Sequence, residues 1–428
     1  MPGQYFRKAY FSIATMAKGN AASFRGMVVA VFGTTLFVMG YISFYFKPVR
    51  NLEISLDSKN TAFHPSNPIR VDNNNSRCPS VLQNMTQGHW RTRKLTEAQR
   101  RQTEWFYHMA LNHKGVPSSL QRHDSRCGDI GYPNVIDFLR AICSPTGPTP
   151  CCYNFKCVNK TEAMCRCKNC WDIRQQIHAE YSTWIPSDPR CQPREYSPRQ
   201  ICQLLNGGTI RFLGDSLVRH IYTGLLMTVR GNFKDGAVRP TESREWNSKC
   251  SGMNMFEEKN CRRQLDAQPK NICTGRVTLS WKKHELSRQW TELINDVTES
   301  LADRRTLFVV GIGIHEDYNS NKVKLEYLKP TLDRLRKNGT LWPKVLFVDM
   351  NAPGILKRSD TQSKPRVLQF NRDMEKFLKV YKVPVLKTFN MTDGVRSFDG
   401  THYALGVNVV KANILLNYIQ ELSDSGVW

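Results

Sequence analysis

The sequence predicts an α/β fold in its C-terminal half, a parallel sheet covered by helices on both faces. A disulfide-rich region and an N-terminal transmembrane helix precede it. Three observations carry this expectation. Apolar strand-like runs alternate with amphipathic helical stretches from residue 204 onward. All 14 cysteines lie between Cys78 and Cys273. Residues 27–46 form twenty consecutive residues without a charge.

The apolar segment, MVVAVFGTTLFVMGYISFYF, is long enough as a helix to cross the roughly 30 Å hydrocarbon core of a bilayer. Arg7, Lys8, Lys18 and Arg25 precede it with no acidic residue between them, whereas Lys47 and Arg50 are soon offset by Glu53 and Asp57. This bias places residues 1–26 in the cytosol and the remainder outside it. The run is too long for a cleaved leader, and no small-residue cleavage site follows. The expectation is a single-pass type II membrane protein of the Golgi or cell surface. Residues 47–77 are polar, with Asn73, Asn74 and Asn75 in a row, and read as a flexible stem.

Residues 78–203 hold 11 cysteines. Cys165, Cys167 and Cys170 have a spacing that can bind zinc, but structural partners at matched spacing are missing. On the non-cytosolic side an even cysteine count reads as disulfides, with connectivity open, and no metal is expected. The sequons at Asn74, Asn84, Asn159, Asn338 and Asn390 fall on the same side.

In residues 204–428 strands are expected at 209–214, 276–281, 306–313, 344–350 and 384–389. Helices are expected at Ser216–Val229, Leu286–Leu301, Lys322–Lys337, Val367–Tyr381 and Ala404–Leu422. Ligand sites in such folds lie beyond the carboxyl ends of the strands.

The first strand runs into FLGDSLVRH, residues 212–220. A serine after a strand and a Gly-Asp turn, at the start of a helix, has free N–H groups and the positive end of the helix dipole behind it. Asp and Ser are also ordinary helix caps. SFDGTHY, residues 397–403, adds the missing partners. A serine hydroxyl needs a base, and the base needs an orienting group. Asp399 and His402, three apart on one turn, can meet while the second ring nitrogen faces Ser216.

FLGDSLVRH and FDGTHYALGVNVVKANILLNYI closely resemble the first and last blocks of the SGNH/GDSL hydrolase superfamily. The nearest variety is the PC-esterase group, which includes glycan O-acetyltransferases and the C-terminal domain of neurexophilin-and-PC-esterase proteins. Trp184-Ile-Pro, Cys191, Ile201-Cys202-Gln-Leu and Trp281-Lys-Lys-His284 are also similar to the latter. The resemblance covers roughly residues 180–425. It implies a three-layer α/β/α fold and acyl-ester chemistry on a sugar hydroxyl, with Ser216 as nucleophile, His402 as base, Asp399 as its orienter and the Ser216 N–H as an oxyanion donor. The superfamily's third block carries an oxyanion Asn. Here Val309–His315 contains none, which leaves the N–H of Gly311 or Gly313, or the His315 ring, as substitutes. The second-block glycine stays open among Gly231, Gly252 and Gly275. Arg219, one helical turn after Ser216, either binds an acidic substrate group or pairs with a carboxylate.

The net charge of +24 has two readings, a solvated basic surface or a polyanionic partner. The basic residues are spread along the chain and contain no nucleic-acid module, so nucleic acid is not expected. The expected function is a glycan O-acetyl esterase or O-acetyltransferase. It needs no cofactor unless it transfers, when a donor such as acetyl-CoA is required. An inactive glycan-binding or adhesion ectodomain is the alternative.

Overall fold

The computed structural model describes residues 77–112, 121–130, 140–256, 261–356 and 360–428. Residues 1–76 lie outside it, and with them the segment 27–46, the stem up to residue 76 and Asn74. Among the described residues no helix is long and apolar enough to cross a membrane.

Asn75–Trp428 form one compact unit. Strand β1 (Gly88–Thr92) pairs antiparallel with β5 (Ser182–Pro186). Between them come helix α1 (Glu97–Asn112) and a small antiparallel sheet of β2 (Cys151–Tyr153), β3 (Lys156–Val158) and β4 (Cys170–Trp171). All the cysteines are paired, as Cys78–Cys191, Cys127–Cys152, Cys143–Cys157, Cys151–Cys165, Cys167–Cys170, Cys202–Cys273 and Cys250–Cys261. Cys165, Cys167 and Cys170 are therefore not free to act as thiolate ligands.

The central sheet is five-stranded and parallel, in the order β10-β9-β8-β6-β7. Its strands are β6 (Thr209–Gly214), β7 (Thr278–Lys283), β8 (Thr306–Gly311), β9 (Lys344–Val348) and β10 (Val385–Leu386). Successive side chains point to opposite faces. Ile210, Phe212, Leu307, Val309, Leu346 and Val348 enter one core, packed against α2 (Ser216–Arg230) and the C-terminal helix α6 (Leu405–Asp424). Leu213, Phe308, Val310 and Phe347 enter the other, packed against α3 (Trp290–Glu299), α4 (Lys329–Asn338) and α5 (Lys364–Val380). The result is the expected three layers. Both faces are covered at β8, which is why TLFVVG reads as a nearly unbroken apolar run.

Element bounds depart from expectation where proline intervenes. The helix expected over Lys322–Lys337 is a π-helical stretch, Lys322–Leu328, followed by α4. Pro330 has no N–H for the carbonyl four residues back, so the regular ladder restarts there. The last strand is two residues long and follows Pro384. β7 begins two residues later than expected, at Thr278.

β6 and β8 are neighbours, yet α2 after β6 lies on one face of the sheet and the helices after β8 lie on the other. Loops leaving two adjacent parallel strands in opposite directions open a crevice at their carboxyl ends. Ser216 stands at that point.

Candidate active site

The turn from β6 into α2 is made by close approach. A Cβ at Gly214 would collide with the Gly311 carbonyl and lie 2.6 Å from Val218 Cγ2. A Cβ at Gly311 would lie 2.9 Å from Val218 and 3.0 Å from the Val348 carbonyl. Asp215 caps α2, its Oδ1 accepting from Leu217 N at 2.9 Å. Ser216 is the first residue of the helix, and its N–H has no acceptor within it.

The second half of the site comes from the loop before α6. Gly400 has φ +85°, where an L side chain is strained. This lets Asp399 Oδ1 accept from Thr401 N at 2.9 Å and His402 N at 2.8 Å. Asp399 Oδ2 lies 2.7 Å from His402 Nδ1, and His402 Nε2 lies 2.6 Å from Ser216 Oγ. An ionised Asp399 only accepts, so Nδ1 carries the hydrogen and Nε2 is left to accept from the serine hydroxyl. Asp399 is buried, while Ser216 and His402 retain 8% and 9% exposure.

The imidazole is held by rings as well as by Asp399. Phe398 stacks on it at 5.7 Å and 15°, and His220 packs against it at 5.2 Å. Tyr403 Oη donates to the Ala352 carbonyl at 2.7 Å, and Gly354 N donates to the Gly400 carbonyl at 2.8 Å. From below, Tyr107 Oη on α1 donates to the Arg396 carbonyl at 2.9 Å, and Arg396 pairs with Glu104. The disulfide-rich half of the chain therefore supports the histidine loop directly.

The supporting residues named from sequence fare differently. Gly311 is accounted for by packing, and its carbonyl accepts from Asp215 N. At Gly313 the space for a Cβ is filled by Phe370 and Met350, and its carbonyl accepts from Glu316 N and Tyr318 N. His315 is 43% exposed, with Nε2 3.9 Å from Glu285. Arg219 is buried. It donates to His220 Nε2 at 3.0 Å and lies 5.8 Å over the Trp281 ring. His284 is fully buried, with N bonded to the Gly214 carbonyl and Nδ1 to the Tyr327 hydroxyl at 2.7 Å. Burial pushes its pKa down to about 4, so it stays neutral. The sequons at Asn159, Asn338 and Asn390 are exposed, whereas Asn84 is half-buried and reaches Asp188 Oδ2 at 3.4 Å.

Three features of the site were not singled out from sequence: the packing of His220, the stacking of Phe398 and the state of Asp215. The first two lie within FLGDSLVRH and SFDGTHY, four residues from Ser216 and His402, which was the available signal. Asp215 Oδ2 is buried without a partner, and burial raises its carboxyl from the ordinary 3.8 to about 6. Between these pH values the folded state holds a proton that the unfolded chain releases. Stability therefore falls as pH rises through this window. Asp215→Asn keeps the cap and removes that dependence. Its melting temperature is expected to gain on the parent from pH 4 to pH 7, by up to about 3 kcal/mol of stability. A difference that does not vary with pH would contradict this account of Asp215.

No protein-family model matches the sequence, and no curated protein matches it. Solved structures similar to it include a lipolytic protein of the G-D-S-L family from Veillonella parvula, at 13% identity and TM-score 0.29, covering 50% of this chain and 99% of that one. An acetylxylan esterase from Geobacillus stearothermophilus has 12% identity and TM-score 0.29, covering 50% and 94%. A carbohydrate acetylesterase from Sinorhizobium meliloti has 14% identity and TM-score 0.29, covering 50% and 99%. At such identity and score, the chemistry of Ser216 has to be argued from its own surroundings.

Proposed function

We propose that the chain is a serine esterase or acyltransferase that carries an acyl group, most simply acetyl, on Ser216. The observation behind this is the hydrogen-bonded line from Asp399 Oδ2 through both His402 nitrogens to Ser216 Oγ, with bonds of 2.7 and 2.6 Å. In the first half-reaction Ser216 Oγ attacks the ester carbonyl carbon and passes its proton to His402 Nε2. The buried Asp399 carboxylate stabilises the imidazolium. The N–H of Ser216, at the positive end of α2, receives the developing oxyanion. We assign His315 to the rim, where it meets substrate, and the buried Arg219 to ordering His220 beside the His402 ring. Collapse of the tetrahedral species expels the alcohol, which takes the proton from His402. Water, or a second hydroxyl, then attacks the acyl-serine with His402 again as base.

The substrate we propose is an O-acylated glycan, anionic where the +24 charge is used. Hydrolysis is favoured over transfer, because one span at residues 27–46 offers no evident route for a donor such as acetyl-CoA. The chain would be a type II protein of the Golgi or cell surface, glycosylated on its lumenal side. Complete cysteine pairing supports an oxidising compartment. A binder without activity would have no need of an aligned triad.

A fluorophosphonate should label one residue, Ser216, while the protein releases acetate from an O-acetylated glycan. Ser216→Ala should lose both. Labelling elsewhere with acetate release intact would refute the assignment.

A further inference from the structure

The disulfide-bonded sheet β2–β3–β4 has a second feature that the triad does not use. β2 and β3 are joined by the two-residue turn Asn154-Phe155, both at positive φ. Tyr153 is opposite Lys156, and Lys156 is in turn opposite Arg126 through an antiparallel bridge. Directly opposed residues point to the same face. Arg126, Lys156 and Tyr153 therefore form a row across one side of the sheet, at the strand spacing of about 5 Å. Lys160 joins it, its Nζ 3.8 Å from the centroid of the Tyr153 ring. Arg126, Lys156 and Tyr153 are exposed.

Like charges placed directly opposite one another oppose folding. Arg122, Arg140 and Arg174 of this unit have partners, in the pairs Arg122–Asp124, Arg140–Asp129 and Arg174–Asp172, while Arg166 and Lys168 are exposed beside them. Asp124 holds Arg122 through both oxygens, accepts from the Arg126 main-chain N–H and lies within electrostatic reach of the Arg126 side chain without pairing with it. Glu162, the remaining carboxylate, lies within electrostatic reach of Arg174. Among the described residues no carboxylate pairs with Arg126, Lys156 or Lys160. Disulfides Cys127–Cys152, Cys143–Cys157 and Cys151–Cys165 hold this backbone in place, so the row is presented rather than free to spread.

We propose that this face binds a linear acidic glycan, with sulfate or carboxylate groups on Arg126, Lys156 and Lys160 and a sugar ring against Tyr153. Cations in line at strand spacing match a polymer of regularly spaced anions better than a single ion. An oxidising compartment supplies such polymers as glycans rather than nucleic acids. The binding is independent of the acyl chemistry, so Ser216→Ala should leave it unchanged.

The test uses the full chain, immobilised heparin and about 0.15 M salt, where charges beyond about 8 Å are screened. The triple change Arg126→Gln, Lys156→Gln, Lys160→Gln should weaken Kd at least about tenfold. Arg334→Gln, Lys337→Gln, Lys379→Gln removes the same charge from exposed positions elsewhere and should change Kd less than about twofold. Tyr153→Ala should weaken heparin binding but not binding to polyphosphate, which has no ring to stack. Both triples should retain zero free thiol, showing that the sheet is intact. Equal losses in the two triples would reduce the effect to net charge and overturn the proposal. So would phosphatidylserine vesicles or single-stranded DNA binding as tightly through the same three residues.

Discussion

Ser216→Ala and His402→Ala should each lower kcat on an acetyl ester by about 10⁴-fold or more, with the double variant scarcely worse than either single one. The reason lies in the single line of proton transfer. Without Oγ there is no nucleophile, and without Nε2 the hydroxyl keeps its proton, so removing the second member takes nothing further away. What survives is the contribution of binding and of the N–H groups at the start of α2. Neither change should unfold the protein. Ser216 is capped by its neighbour Asp215 rather than capping the helix itself, and the His402 loop keeps its bonds from Thr401 N and Gly400 N. Initial rates on an acetyl ester, with melting curves beside them, check both statements. Effects that multiply in the double variant would contradict a shared line.

Asp399→Asn is the second large effect, a loss of about 10⁴-fold in kcat with little change in fold. The variant keeps an oxygen for Thr401 N and His402 N, which Asp399 Oδ1 now serves. Its amide nitrogen, placed toward His402 Nδ1, donates instead of accepting. That forces the ring hydrogen onto Nε2, where it faces Ser216 Oγ and blocks proton transfer. Asp399→Ala should also be impaired but should in addition melt at lower temperature, because the turn around Gly400 loses its acceptor. A kcat for Asp399→Asn within about tenfold of the parent would mean that His402 does not depend on this carboxylate.

The central sheet and the contact of Asp399 with His402 were legible in the sequence for the same reason: their signals are local. TIRFLG carries Ile210, Phe212 and Leu213 because β6 packs against a core on each face, and Asp399 and His402 meet within one turn. What was not legible is long-range. Helix α1 holds the Arg396 segment across 289 residues of sequence through Tyr107, and no pattern within Glu97–Asn112 announces that partner. The disulfide pairs were beyond reach for the same reason, since any of many connectivities satisfies the spacing. Helix bounds failed at Pro330, where hydrophobic periodicity continues although the backbone ladder does not. Gly214 and Gly311 are small because β6, β8 and α2 approach closely there, and a sequence cannot separate a glycine needed for space from one needed for its N–H.

The claim on which the rest depends is that an acyl group passes through Ser216. Acid quenching during turnover of an acetyl ester, followed by mass mapping of peptides, tests it most directly. One acetyl group on the peptide containing Ser216, formed before steady state and absent from Ser216→Ala, is the predicted result. Steady turnover with acetyl on another residue, or with none trapped on any, would contradict it.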